Sequence, residues 1–116
     1  MGERLNELES VEDFTLALEE SAKRPVLLFK HSVTCSISVR AFDQLQSYLE
    51  QADSRLSYNL ITVQTARDIS DLAASTLRVT HESPQAILVR NGREVWNASH
   101  FDITRSALEE AIRCLE

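Results

Sequence analysis

The residue with the clearest chemical potential in this sequence is Cys35, which lies between a polar break at 31–34 and a predicted helix. Backbone N–H groups at a helix N-terminus point outward without partners, and the helix dipole places partial positive charge there. Both effects favour the thiolate, which is the nucleophilic form of cysteine. The position therefore predicts a reactive cysteine, with a small buried side chain as the alternative.

The charge pattern around Cys35 favours the reactive form as well. The window 21–42 contains no Asp or Glu but holds Lys23, Arg24, Lys30 and Arg40. A locally electropositive surround lowers the pKa of a cysteine thiol. The whole chain is nevertheless acidic, with 12 Lys and Arg against 18 Asp and Glu and a formal net charge of −6. That balance argues against nucleic acid as a partner.

Cys35 and Ser38 form a C-x-x-S pattern. In a C-x-x-C dithiol the second cysteine attacks the mixed disulfide formed at the first, whereas a serine keeps a hydroxyl but has no sulfur to attack with. We predict that Ser38 donates a hydrogen bond to the Cys35 thiolate. The pattern alone is weakly specific, and an ordinary helix residue is the alternative for Ser38.

Pro84 begins a predicted strand directly after a helix and a loop. A cis bond is seen in only ~5% of X-Pro pairs. A proline at the start of a strand that faces the N-terminus of the Cys35 helix is where a cis bond would bring backbone groups beside the cysteine. We predict a cis Ser83–Pro84 bond, with a plain trans bond as the alternative.

The elements that position these residues follow from apolar periodicity and turn residues. Helical spacing predicts four helices, at about 10–22, 35–51, 68–77 and 104–115. Short apolar runs predict four strands, at about 25–29, 56–63, 85–90 and 93–98. Ser10, Asp68 and Thr104 are the predicted N-caps, and Asn91-Gly92 predicts a tight hairpin turn between the last two strands.

This order of elements predicts an α/β fold. Strand–helix–strand crossovers imply parallel pairing, and the final hairpin adds an antiparallel pair. We predict a four-stranded mixed sheet with helices on both faces and an extra N-terminal helix. A chain of 116 residues fits one such domain, covering residues 1–116.

Four segments of the chain together resemble the monothiol bacilliredoxins of the YtxJ type. They share order and spacing with that family between residues 26 and 103, and they are 31–38 (HSVTCSIS), 67–70 (RDIS), 81–85 (HESPQ) and 98–103 (ASHFDI). The resemblance implies a thioredoxin fold and removal of bacillithiol from mixed disulfides on cytosolic proteins. It also implies that Cys35 is the attacking cysteine and Pro84 the cis-proline that leads a strand.

The expected reactants follow from the same resemblance. No bound cofactor is expected, bacillithiol or another low-molecular-weight thiol is the co-substrate, and S-thiolated client proteins are the partners. The residues expected to contact substrate are Thr34, Ser36, Ser83, Pro84 and His100. Ser36 departs from the family, which usually has proline there; proline suits the first helical position because its φ is preset.

The three histidines, His31, His81 and His100, fall in three predicted loops that such a fold gathers near one sheet edge. A proton relay or a zinc site is conceivable there, but no ligand spacing supports zinc, so no metal is predicted. His100 has the best functional case. It precedes the last helix, where related thiol-transfer folds receive the acidic end of a small thiol.

The N-terminal segment is polar and acidic, unlike a secretory signal, and no apolar stretch approaches the ~20 residues that span a membrane. A cytoplasmic protein with free thiols and no membrane partner is therefore expected. Cys114 is predicted to pack as a small apolar residue far from Cys35, with a resolving cysteine as the alternative. Two other functions remain open: a non-catalytic binding or adaptor module, and a scaffold that shares an iron–sulfur cluster.

Overall fold

The computed structural model describes residues 5–115, so residues 1–4 and 116 of the predicted domain lie outside the described part. Within that range, strands and helices alternate along most of the chain. They are β1 (Leu5–Glu7), α1 (Val11–Glu20), β2 (Val26–His31), α2 (Ser36–Leu49), β3 (Ser57–Thr62), α3 (Arg67–Leu77), β4 (Gln85–Arg90), β5 (Arg93–Ser99), a short 3₁₀ helix (His100–Asp102) and α4 (Arg105–Arg113).

The strands form one mixed sheet in the order β1-β3-β2-β4-β5. Pairing is parallel between β1 and β3 and between β3 and β2, and antiparallel from β2 to β4 and from β4 to β5. The predicted α/β fold class is confirmed, but the sheet has five strands where four were predicted. The missed strand, β1, is only three residues long. Helix α1 therefore connects strands β1 and β2. The prediction of an extra helix ahead of the first strand was wrong.

The N-caps show where local sequence signals suffice. Ser10 Oγ accepts the Asp13 N–H at 3.1 Å, and Thr104 accepts a first-turn N–H at 3.1 Å, so both predicted caps are confirmed. Asp68 was the wrong choice, because α3 begins one residue earlier and Ala66 is its N-cap. The Asp68 carboxylate lies in the first turn, where the helix dipole favours negative charge.

The predicted hairpin turn between β4 and β5 is also confirmed. Asn91 and Gly92 have φ values of 55° and 74°, the positive values that such a turn needs at both central residues. Ser21 anchors the turn, because its carbonyl and hydroxyl oxygens accept the Asn91 and Gly92 N–H groups at 2.8 and 2.9 Å.

Strand β2 lies in the middle of the sheet and is buried along its whole length. Successive side chains point to opposite faces of a strand. Val26 and Leu28 pack in the core beneath α1 and α3, whereas Leu27 and Phe29 pack in the core beneath α2 and α4. The helix that follows, α2, is the longest described at 14 residues, and no helix within residues 5–115 has the length and apolar content to cross a membrane.

Candidate functional site

Cys35 occupies the boundary between the loop after β2 and helix α2, as predicted. It is the N-cap residue of α2, with extended backbone (φ −105°, ψ 124°), and its carbonyl oxygen accepts the Val39 N–H at 3.0 Å. Its side chain is half-buried and makes no capping hydrogen bond. The first turn of α2 carries no acidic residue, so no carboxylate there opposes the partial positive charge of the helix N-terminus.

The loop before Cys35 is held by one glutamine that the sequence analysis missed. Gln64 Nε2 donates to Ser32 Oγ at 2.7 Å and to Thr34 Oγ1 at 3.1 Å, and its Oε1 accepts the Val33 N–H at 3.2 Å. The Cys35 N–H closes the turn by donating to the Ser32 carbonyl at 3.3 Å. The available signal was topological, since Gln64 follows β3, and parallel strands end at one edge of the sheet.

Ser38 lies one turn into α2 but does not contact the sulfur as predicted. Its fully buried Oγ accepts the Ser32 N–H at 2.8 Å and lies 2.8 Å from His31 Nδ1. No hydrogen bond joins Ser38 to Cys35 among the described residues, because the loop and the histidine already engage the hydroxyl. The exposed Ser36 occupies the first helical position, next to the cysteine.

His31 is a buried member of β2, although the sequence analysis assigned it to a loop. Its ring stacks on Phe42 with centroids 4.7 Å apart and lies 6.0 Å from the Phe29 ring. Burial lowers the pKa of His31 below its ordinary value, which keeps the imidazole neutral at neutral pH. The side chain therefore belongs to the core beneath α2, with one ring nitrogen directed at Ser38.

Lys30 is the neighbouring base on the other face of the sheet. It is fully buried, and its Nζ lies 3.1 Å from His81 Nδ1. Because an ammonium has only donors, Nδ1 is the acceptor, and the hydroxyl of Ser70 approaches the same atom at 3.2 Å. Burial lowers the pKa of Lys30 to about 8, against an opposing effect of Asp71, and burial followed by the Lys30 charge lowers the pKa of His81.

The Ser83–Pro84 peptide bond is cis, and it leads directly into β4. Lys30 pairs with Gln85, so the antiparallel register places Pro84 beside the end of β2, four residues before Cys35. The Ser83 hydroxyl oxygen and the Gln85 carboxamide oxygen are buried, with no hydrogen-bond partner among the described residues. The 81–84 segment thus borders the loop that carries the cysteine.

His100 begins the 3₁₀ helix rather than lying in a loop, with φ of 55°. Its N–H donates to the Pro84 carbonyl at 3.1 Å, and its Nε2 lies 3.4 Å from a carboxylate oxygen of Glu82. A cavity of about 150 Å³ opens beside it against the first half of α2. Arg40 and the exposed Phe101 line that cavity, with the guanidinium 5.8 Å from the ring centroid.

The predicted site residues fall into two groups that meet at one sheet edge. Thr34, Cys35 and Ser36 start α2, and Ser83, Pro84 and His100 belong to the segments joined by the 3.1 Å bond described above. The 3₁₀ helix packs against α2 and brings the two groups side by side. The three histidines lie apart along the chain, in β2, in the loop before β4 and in the 3₁₀ helix. Within residues 5–115 no three His, Cys, Asp or Glu side chains gather in a way that would hold a metal ion.

Cys114 is exposed at the C-cap of α4, so the prediction that it packs in the core was wrong. It borders a cavity lined by Arg90 and Val95. Gln85 is the first residue of β4 and Arg90 is the last. Gln85 pairs with Lys30 near the loop that carries Cys35, so Cys114, beside Arg90, lies near the opposite ends of the strands. The thiol points outward because the apolar face of α4 is centred on Leu108 and Ile112, and position 114 lies outside that face.

Comparison with known proteins shows the same fold and a specific family. The sequence matches the family described as monothiol bacilliredoxin BrxC over residues 6–108. A solved structure described as a candidate oxidoreductase with a thioredoxin fold is 39% identical, with a TM-score of 0.82 and 93% of each chain covered. Thioredoxin from Fasciola hepatica is 16% identical, with a TM-score of 0.75 over 96% of this chain and 99% of its own. Thioredoxin from Schistosoma mansoni, 17% identical over 98% of this chain and 100% of its own, also has a TM-score of 0.75.

Proposed function

The chain belongs to the monothiol bacilliredoxin family of thioredoxin-fold proteins, and we propose that Cys35 removes bacillithiol, or a similar low-molecular-weight thiol, from mixed disulfides on client proteins. The observation that carries the proposal is the placement of Cys35 at the N-cap of α2, where a serine occupies the position of a second cysteine. The N-terminal N–H groups of α2 favour the thiolate that the reaction requires.

The first step is capture of the small thiol. The Cys35 thiolate attacks the small-thiol sulfur of the client's mixed disulfide, a new S–S bond forms to Cys35, and the old S–S bond breaks. The client sulfur leaves as a thiolate and takes a proton from water. One disulfide is exchanged for another, so no external oxidant or reductant enters this step.

The second step regenerates the protein with a second molecule of the small thiol. Its thiolate attacks the captured small-thiol sulfur, the symmetrical small-thiol disulfide leaves, and Cys35 returns as a thiolate. An internal resolving step lacks a partner, because residue 38 is a serine and Cys114 lies near the far end of the sheet. The small thiol is therefore consumed as a co-substrate.

The substrate is expected to contact both groups of residues at this edge. An extended client segment would pair with backbone groups of Ser83 and Pro84, as an added strand pairs with a sheet. Thr34 and Ser36 flank the sulfur and would contact the client or the small thiol directly. His100 would receive an anionic part of the small thiol, in the cavity that it shares with Arg40.

The protein is expected to act in the cytoplasm on S-thiolated proteins. Both of its cysteines are free thiols, which is the usual state in a reducing compartment. A non-catalytic adaptor role is the competing function, and it predicts slow alkylation of Cys35 at neutral pH together with no release of small thiol from a client.

The test is release of small thiol from a defined client, followed by intact-protein mass spectrometry. Wild type and Cys114→Ser are expected to release the small thiol equally fast, whereas Cys35→Ser is expected to release none above the uncatalysed rate. Clients capped with bacillithiol and with glutathione, each resolved by its own thiol, determine which small thiol is preferred. Equal release by Cys35→Ser and wild type would overturn the proposal.

A further inference from the structure

We propose that His31 is a positioning residue for Cys35, acting through Ser38 by a tautomer exchange that turns the serine hydroxyl toward the thiolate. The inference deepens the proposed function and rests on it, since it concerns how the same sulfur is prepared for attack. The supporting observation is the hydrogen bonding of the buried Ser38 hydroxyl, which contacts His31 and Ser32 and not the sulfur.

The hydrogen-bonding capacity of the Ser38 hydroxyl is limited and nearly used up. A hydroxyl has one proton to donate and two lone pairs. One lone pair accepts the Ser32 N–H at 2.8 Å, a direction that cannot be reversed. The remaining short contact, 2.8 Å to His31 Nδ1, can run in either direction depending on which ring nitrogen carries the proton.

The two tautomers of His31 determine whether the Ser38 hydroxyl offers a lone pair or a proton to Cys35. With the proton on Nε2, Nδ1 accepts the Ser38 proton, and the hydroxyl presents only a lone pair to Cys35, which suits a thiol. With the proton on Nδ1, the ring donates to Ser38 Oγ, and both lone pairs are filled. The serine proton then has one remaining acceptor, the sulfur, which suits a thiolate.

The exchange can be written as a balanced proton transfer. The Cys35 thiol proton passes to Ser38 Oγ, the original Ser38 proton passes to His31 Nδ1, and the Nε2 proton passes to water. The products are a thiolate, a serine hydroxyl that donates to it, and a neutral imidazole protonated on Nδ1. No redox change and no co-reactant other than water is needed.

The surroundings of both ends fit this exchange. The side chains of an N-cap residue and of the third helical residue are neighbours, as in a capping box, and Cys35 and Ser38 hold those two positions. The half-buried cysteine side chain makes no capping hydrogen bond, so no such bond has to break before the sulfur can accept one from Ser38. His31 Nε2 has no hydrogen-bond partner among the described residues. This nitrogen is not fully buried, so it is accessible to solvent.

Among the described residues, the His31 ring has no charged side chain as a hydrogen-bonding or stacking partner. The ring is packed between Phe29 of β2 and Phe42 of α2, which are both uncharged. Burial is the cause that lowers the pKa of His31, with no charged side chain of the described residues contributing. Above pH 6.5 the ring is therefore neutral, and the choice between its two nitrogens is governed by Ser38.

The direct test is ¹⁵N NMR of the histidine ring nitrogens at about pH 9.5, where an ordinary cysteine is ionised and an ordinary histidine neutral. The His31 signals are assigned by their loss in His31→Phe. Reduced protein is expected to carry the proton on Nδ1, whereas Cys35→Ser and protein blocked at Cys35 by a methylthio group are expected to carry it on Nε2. The same tautomer in all three samples would overturn the proposal.

Alkylation of Cys35 provides a second readout in a Cys114→Ser background. Ser38→Ala is expected to slow alkylation at pH 7 by about tenfold, since a hydrogen bond to a charged group is lost. His31→Phe keeps the ring stacking and is expected to slow it by about threefold, with no further loss when combined with Ser38→Ala. Independent effects in the double variant would contradict the coupling. Failure of this test would leave small-thiol release by Cys35 intact, so the two proposals fail separately.

Discussion

Lys30 and His31 are consecutive buried bases in β2 that point to opposite faces of the sheet. Lys30 bonds to His81, in the segment that leads to Pro84, whereas His31 bonds to Ser38, in the helix that Cys35 opens. The end of one strand thereby connects to both chain segments that meet around the sulfur.

The two bases differ in how burial is compensated. Lys30 buries a positive charge with one neutral partner, and the carboxamide oxygen of Gln85, its register neighbour, is left unpaired. His31 is neutral, stacked and hydrogen-bonded. A buried charge costs stability unless it is well paired, whereas a stacked neutral ring contributes packing. Burial of Lys30 therefore lowers stability, whereas the stacked ring of His31 contributes to the core.

The largest expected effect on stability is at His31. His31→Ala should lower the free energy of unfolding by about 2–4 kcal/mol, because it removes a stacked ring and leaves a cavity beside Phe42. His31→Phe is the matched control, and it should cost less than about 1.5 kcal/mol because the ring is kept. Urea denaturation measures both, and equal losses for the two variants would show that stacking is not what the ring contributes.

Lys30→Met should change stability in the opposite direction. At pH 7 the variant should be more stable by about 1–3 kcal/mol, because a charge with a strongly lowered pKa is replaced by an apolar chain of similar length. Denaturation across pH provides the check. The pKa of Lys30 in the folded protein is below its unfolded value. Burial of the charge therefore lowers the stability of wild type by its full amount below about pH 8, and by less as pH rises toward 10.5. The stability advantage of Lys30→Met should shrink over that interval, and a constant advantage would show that the buried charge of Lys30 is not its cause.

The free energy of unfolding at acidic pH should show how much the neutral imidazoles of His31 and His81 contribute to stability. The pKa values of His31 and His81 are below the ordinary value, so their contribution to stability is complete above pH 6.5 and is lost as pH falls through the folded pKa values. Wild type should lose stability below pH 6.5 with a slope of at most about 1.4 kcal/mol per pH unit for each group. His31→Phe should have a shallower slope between pH 6.5 and 5, measured by denaturation at each pH. An unchanged slope would assign the loss to His81 alone.

Gln64 hydrogen-bonds to the loop before Cys35 and to neither buried base, so its replacement tests that loop separately. Gln64→Ala should remove the three hydrogen bonds that hold the loop before Cys35 and should lower stability by only about 0.5 kcal/mol, since the residue is exposed. Exchange with a small-thiol disulfide should slow by about threefold through the loosened loop. Gln64→Glu is the control that keeps the acceptor for the Val33 N–H. Unchanged exchange in Gln64→Ala would show that this loop does not position the sulfur.

The parts of the structure that the sequence predicted are those with local causes. Ser10 and Thr104 cap their helices through contacts three residues away, and Asn91-Gly92 forms its turn through its own backbone preferences. Cys35 was placed correctly at a helix start because the polar break before it and the apolar stripe after it are adjacent in sequence. Strand β1 escaped detection because three residues cannot show a period.

The contacts that the sequence did not predict depend on the packing of distant elements. The partner of the Ser38 hydroxyl was predicted to be the nearby sulfur, but the alternation of β2 directs His31 to it from the face beneath α2. Asp68 carries the right chemistry for an N-cap, yet the N-cap position of α3 lies two residues earlier, at Ala66. Gln64 and Lys30 gain their partners only when β2, β3 and β4 assemble.

The most direct test of the central claim is to trap the first intermediate. A client carrying one bacillithiol is mixed with the reduced protein in the absence of free thiol, quenched with acid, and mapped by mass spectrometry of peptides. We expect the bacillithiol adduct to appear on Cys35 at the same rate as the free client thiol, with Cys114 unmodified. A disulfide between Cys35 and the client, or an adduct on Cys114 alone, would contradict the claim that Cys35 captures the small thiol.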